Sequence, residues 1–194
     1  MPLIDSTTSR MVGHVLIRDQ MTKDVIVDKM NAIHYSHMSY ALAQALSHRD
    51  AGYIYEMAFG NGASAISGVG AITYYPPNIT GNDARLYNRT YSKIVDDQSI
   101  TMPSNQRDRN KITVQNTAGN LYSDIVVTCT LDYNEPNGQE AFDDTNLIDS
   151  DFVFDELALI SKDDKLLTHV IFSPVQKSLN RTIEIIYTLR IYMS

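Results

Sequence analysis

"TIEIIYTLRIY", Thr182 to Tyr192, is the stretch on which the fold class turns. Ile183, Ile185, Tyr187, Leu189 and Ile191 alternate with Thr182, Glu184, Thr188 and Arg190, and only Ile186 breaks the pattern. Successive side chains of a β-strand point to opposite faces, so the first set faces a core and the second faces solvent or a neighbouring subunit. A slip by one residue would bury Glu184 and Arg190 without partners, so the register is strongly specified.

Working outward, the same reading gives strands at short intervals. "FVFDELALI" and "KLLTHVIF" flank the turn Ser161-Lys162-Asp163-Asp164. "KITVQN" and "LYSDIVVTCTLDY" flank Thr117-Ala118-Gly119-Asn120, a good turn sequence. "GYIYEMAF" alternates, and the aromatic and β-branched content of "ARLYNRTYSKIV" makes it a strand as well. At the N-terminus "GHVLIRD" and "DVIVDK" form a hairpin across Asp19 to Lys23. The single helix is "SHMSYALAQALSHR", with Ser36 as N-cap and Tyr35 and Tyr40 as a hydrophobic staple. Its apolar face is Met38, Leu42, Ala45 and Leu46. Residues 67–83, centred on Pro76-Pro77, read as an extended loop, and Asp97 to Asn110 as a polar loop that is mobile unless a partner covers it. Strands with one short helix define a mainly β (α+β) chain, an antiparallel β-sandwich-like domain. The organisation expected is a β domain over residues 34–194 with residues 1–33 as an N-terminal β-hairpin arm.

Composition narrows the function classes. At 194 residues, with 43% hydrophobic and 20% charged residues, the chain is globular and long enough for a real core. Net charge is −7 and no Lys/Arg run exceeds two residues, which argues against nucleic acid as a partner. One cysteine, Cys129, excludes an intrachain disulfide and fits folding in a reducing compartment. No apolar signal core or membrane-length stretch is present, so neither a membrane partner nor secretion is expected. Tyrosine is abundant, with 12 Tyr against 5 Phe and no Trp, which suits half-buried sheets and protein interfaces.

Each candidate chemistry meets a simpler explanation. "MAFGNGASAISG" contains Gly60-x-Gly62-x-x-Ala65, a relaxed match to a dinucleotide-binding turn, with Asp83 near the distance of a ribose carboxylate. Such a turn must pass from a strand into a helix whose amides hold the pyrophosphate. Gly68, Gly70, Pro76 and Pro77 follow instead, and no helix starts on them. A glycine turn at a strand end, with positive φ and close backbone approach, accounts for the motif without a cofactor. Cys129 lies mid-strand, where an inert buried thiol is usual. His34-x-x-His37 has a spacing that a metal accepts but lacks a completing ligand, and solvent-facing histidines before a helix are expected. Asp143, Asp144, Asp149, Asp151, Asp155 and Glu156 form an acidic loop without EF-hand spacing, best read as solvated. No catalytic, cofactor-binding or metal residue is assigned, and the chain reads as no enzyme.

The order of three segments then becomes informative: Gly60-Asn61-Gly62 at a strand end, Leu86-Tyr87-Asn88-Arg89, and Glu156-Leu157-Ala158-Leu159 followed by Asp163-Asp164. With the small-residue helix before them, they resemble the N-terminal attachment domain of the tail-collar fibre family of tailed bacteriophages, over roughly residues 36 to 194. The chain departs from that pattern at Arg89, where the family usually has an acid, and in stopping at Ser194 where members continue into a fibre stalk. The resemblance implies a virion structural protein, an adaptor or collar-type component of the neck, tail or baseplate. It would assemble in the bacterial host cytoplasm as a homo-oligomer, with other virion proteins as partners. The alternative is a carbohydrate-binding β-sandwich that uses exposed Tyr74, Tyr75 or Tyr87 as stacking platforms.

Overall fold

The computed structural model describes residues 8–137 and 152–193. The chain runs through β1 (Ser9–Asp19), β2 (Val25–Met30), β3 (Ala32–Ile33), α1 (Tyr35–Leu46), β4 (Ile54–Gly60), β5 (Ser64–Ile66) and β6 (Ile72–Tyr74). It continues through β7 (Arg89–Ile94), β8 (Lys111–Asn116), β9 (Tyr122–Leu131), β10 (Val153–Ser161), β11 (Thr168–Gln176) and β12 (Ile183–Met193). Two five-stranded sheets, ordered β2-β1-β12-β9-β8 and β3-β11-β10-β4-β7, form an antiparallel sandwich-like arrangement, and β5-β6 is a separate hairpin. The mainly β class with one helix is as the alternation requires.

β12 sits at the centre of the first sheet. Ile183, Ile185, Tyr187 and Leu189 are at most 1% exposed, and Glu184, Thr188 and Arg190 lie half-buried on the outer face. On that face Arg18 pairs with Glu184 at 2.5 Å, and Arg190 reaches Asp124 at 2.7 Å and lies over the Tyr122 ring. Two positions depart from strict alternation. Ile191 is only half-buried near the strand end, and Thr182 is buried just ahead of the strand, where its carbonyl accepts the Gln20 N–H at 2.9 Å. Tyr187 places its phenol across the core, where the Asn31 amide donates to it, so a buried hydroxyl keeps a partner.

The N-terminal hairpin is built into this sheet. β1 pairs with β12 continuously from Ser9↔Met193 to Asp19↔Ile183, and Val15, Ile17 and Val27 belong to the main core. Val15 stands opposite Tyr187 and Ile17 opposite Ile185, so the apolar period of β1 matches that of its partner.

The second sheet is covered on both sides. β10 is buried at every position; Leu157 and Leu159 enter the main core, and Ala158 and Ile160 pack with Leu86 and Leu166 in a second cluster. Expectations for the helix and for the 67–83 loop are corrected. The helix begins after His34, not Ser36, because the His34 ring accepts the His37 N–H at 3.2 Å. Its buried residues are His37, Met38 and Ala41, so Tyr35 and Tyr40 stand exposed and form no staple, and Leu42, Ala45 and Leu46 do not face the core. Part of the 67–83 loop is hairpin: β5 and β6 pair across Ser67 to Ala71, short strands hidden by Ser, Ala and Gly. The polar loop from Asp97 is a run of turns pinned by buried Met102 and by Asn110, whose Oδ1 accepts the Thr130 N–H at 3.0 Å.

Truncation separates the two faces of β12. Leu189→Ala should cost about 2–5 kcal/mol in chemical denaturation, because it empties a fully buried site. Arg190→Ala should cost clearly less, since the guanidinium stands partly in solvent although its partner Asp124 is buried. Equal destabilisation by both would show that the faces are assigned wrongly.

Candidate functional site

Glu156 lies on β10 at 0% exposure, directly beside Asp155, also at 0%. Strand pairing with β11 shifts register between Phe154 and Glu156, and both carboxylates turn toward the glycine-rich segment. Glu156 Oε1 accepts the Asn88 N–H at 2.8 Å and the Gly62 N–H at 3.3 Å. Its Oε2 accepts the Tyr87 N–H at 2.9 Å and a ring N–H of His169 at 2.9 Å. Asp155 accepts the Ala63 N–H at 3.1 Å and the Ser64 hydroxyl. The acidic-loop reading is thus corrected for Asp155 and Glu156, which are buried strand residues; Asp143, Asp144, Asp149 and Asp151 lie outside the described residues.

His169 on β11 is held as one tautomer. The Asn78 N–H donates to Nδ1 at 2.9 Å, so Nε2 carries the proton that is donated to Glu156. Burial pushes the Glu156 carboxyl up, but the His169 N–H and the Asn88 and Tyr87 amides outweigh it and hold the group below its ordinary value. Asp155 is displaced the other way: burial pushes it up, and the Ser64 hydroxyl and Ala63 amide only partly oppose this. Two adjacent carboxyls are in this way driven apart by their surroundings.

The glycines are required by space rather than by backbone sign. A Cβ at Gly60 would lie 2.4 Å from the Asn88 carbonyl oxygen and 2.5 Å from Glu156 Oε1. One at Gly62 would lie 2.7 Å from the Asn88 nitrogen. Positive φ occurs instead at Gly70, Gly81 and Gly119, so only the close-approach half of the expectation holds. The segment from Asn61 to Asn88 is docked by these groups together. Asn61 and Asn88 are joined through main chain at 3.1 Å, Arg89 pairs with Glu56 and Asp164, and the His34 ring meets the Gly81 carbonyl at 2.8 Å.

The remaining residues singled out in sequence fall as follows. His34 and His37 are buried, contrary to expectation, with rings stacked at 3.6 Å, and His37 Nδ1 bonds the Leu166 carbonyl at 2.9 Å. Each ring thus uses a nitrogen on a main-chain carbonyl. Cys129 is fully buried and its thiol is pushed up to about 12 by burial, as suits an inert core residue. Asp83 is exposed. Tyr74, Tyr75 and Tyr87 are partly exposed, and the Tyr75 and Tyr87 rings lie 5.3 Å apart. Sequence reasoning missed His169, whose signal was an isolated histidine in an otherwise apolar strand.

Among known proteins, no family model, no curated protein and no solved structure matches the chain.

Replacing Glu156 by Gln turns an amide N–H₂ toward donors that need an acceptor. Stability should fall by about 1–3 kcal/mol, the usual cost of leaving a buried donor without its acceptor. The pH dependence has a definite sign. The folded carboxyl of Glu156 lies below its ordinary 4.5, so the unfolded chain binds more protons as pH falls. Its contribution is complete above that value and disappears as acid titrates the folded group. Asp155, raised from 3.8, contributes in the opposite sense, with folded protein gaining stability on acidification between its unfolded and folded values. Denaturation across pH 3–7 of wild type, Glu156→Gln and Asp155→Asn should show the acid loss flattened by the first and steepened by the second.

Proposed function

We propose that the protein is a non-enzymatic structural component of a tailed-bacteriophage virion, an adaptor or collar-type piece of the neck, tail or baseplate. The observation that supports this most is the meeting of three distant segments at one carboxylate. Gly62, Tyr87 and Asn88 all donate to Glu156, and Arg89 bonds Asp164 of the following turn. These segments are the ones that carry the resemblance to the tail-collar fibre family, so its motifs form one structural unit here. Amides that would cradle a phosphate in a nucleotide site are taken by the chain's own acids, which favours a docking role over cofactor chemistry. The partners are other virion proteins and further copies of the chain.

Locating the protein decides this reading. Particles purified from the producing host should contain it at a fixed copy number at neck, tail or baseplate, by mass spectrometry and antibody labelling. Its absence from intact particles would overturn the reading. No saturable heat is expected on titration with nicotinamide or flavin dinucleotides, and Gly62→Val should destabilise the fold by forcing Asn88 away.

A carbohydrate-binding module is favoured by one observation, the tyrosine cluster. Tyr74, Tyr75 and Pro77 line a shallow pocket of about 240 Å³ with Lys29 and Met30. Aromatic faces beside polar groups suit a sugar ring. Saturable binding on a glycan array, abolished by Tyr75→Ala with folding intact, would establish it.

A further inference from the structure

Lys29 on β2 breaks the pattern that its neighbours follow. It stands opposite Val15 in the pairing of β1 with β2, two residues after Val27, so it belongs to the face of β2 that carries the core. An apolar side chain ordinarily stands there. The position holds instead an exposed cation with no ion pair among the described residues. β2 is an edge of the first sheet, and Lys29 and Met30 come beside Val170 and Ile171 of β11 at the seam with the second. The tyrosine segment closes the other side, so Lys29 lines the same pocket of about 240 Å³ as Tyr74, Tyr75 and Pro77. An inward lysine on an edge strand also blocks stray strand pairing, a role that requires no ligand.

The aromatic wall of this pocket is held in place. The Tyr74 and Ser173 hydroxyls bond at 3.1 Å, the Tyr87 hydroxyl donates to the Pro76 carbonyl at 2.7 Å, and the Tyr75 ring lies 5.3 Å from that of Tyr87. Aromatic faces fixed before binding meet the C–H face of a sugar ring at low entropic cost. The same bonds decide which sugar fits. The Tyr74 and Tyr87 hydroxyls are engaged within the chain, and both His169 nitrogens are taken, by Asn78 and Glu156. The side-chain polar groups left to a ligand are the Tyr75 hydroxyl and the Lys29 ammonium, and an ammonium only donates. A carboxylate gains a charge-assisted bond from it, about twice as strong as the bond a neutral hydroxyl would gain. Nor does the tyrosine segment oppose an anion: from Asn61 to Asn82 it carries no charged residue.

We propose that this pocket binds a sugar ring bearing a carboxylate, with the ring on the tyrosine faces and the carboxylate on Lys29. The inference rests on the carbohydrate reading of the pocket and is independent of the virion reading. The test is titration calorimetry of the full chain with matched pairs of ligands. One pair is a tetrasaccharide of glucuronic acid and the neutral glucose tetrasaccharide of the same linkage; the other is sialyllactose and lactose, which tells a sialic acid from a uronate. Lys29→Met, Lys29→Arg and Tyr75→Ala are compared with wild type, and circular dichroism confirms that each keeps the fold. The expected result is an acidic sugar bound about tenfold or more tighter than its neutral partner, a preference that shrinks as salt is raised. Lys29→Met should bring the acidic sugar down to the affinity of the neutral one, Lys29→Arg should retain the preference, and Tyr75→Ala should weaken both. Equal binding of acidic and neutral sugars by wild type overturns the proposal, and so does a preference that survives Lys29→Met. Equal binding that Tyr75→Ala abolishes leaves the carbohydrate reading standing, whereas no saturable heat with any of the four sugars overturns both.

Discussion

A buried carboxylate with four donors is the constraint around which the second sheet is organised. Glu156 takes the amides of Gly62, Tyr87 and Asn88 and the ring N–H of His169. Desolvating a carboxylate costs several kcal/mol even after relaxation. Hydrogen bonds to a charged group are worth roughly 1.5–3 kcal/mol each, so several acting together offset that cost where one would not. Removing any donor leaves the rest of the cost in place, which makes the arrangement strict about geometry.

That strictness explains features that look unrelated. Gly60 and Gly62 have no side chain because the Asn88 backbone and the Glu156 carboxylate occupy the space where one would be. His169 accepts from Asn78 because only then is its other nitrogen free to donate. The long excursion between β4 and β7 contributes little to the main core, yet it is pinned at both ends by Asp155, Glu156 and His169. Polar fastening replaces apolar burial there, and it leaves Tyr74, Tyr75 and Tyr87 free to stand partly in solvent. The same economy applies to α1, which buries three residues against the sheet and leaves its other face apolar and open.

Much of the fold was legible from side-chain period. β1 and most of β12 alternate because each has one face on the core, and the class and most strands follow from patterns of that kind. β10 was legible as a strand but not in its environment. With both faces covered it has no alternation to read, so Asp155 and Glu156 looked like the end of a solvated acidic run. The helix was placed to within three residues at its ends, but the face it buries was misjudged. His34 caps it through a ring nitrogen, and the histidine side of the helix turns inward while Leu42 and Leu46 stay outside.

What the sequence determined by itself was the local geometry: where the chain extends, where it turns, and that glycine is needed at a strand end, since these depend on neighbours a few residues apart. Only the tertiary structure decided what the glycine segment binds. Its amides meet Glu156 from 94 residues further along the chain and share it with Tyr87 and Asn88. A buried acid and a surface acid are written with the same letter, and only the donors brought to it by folding tell them apart.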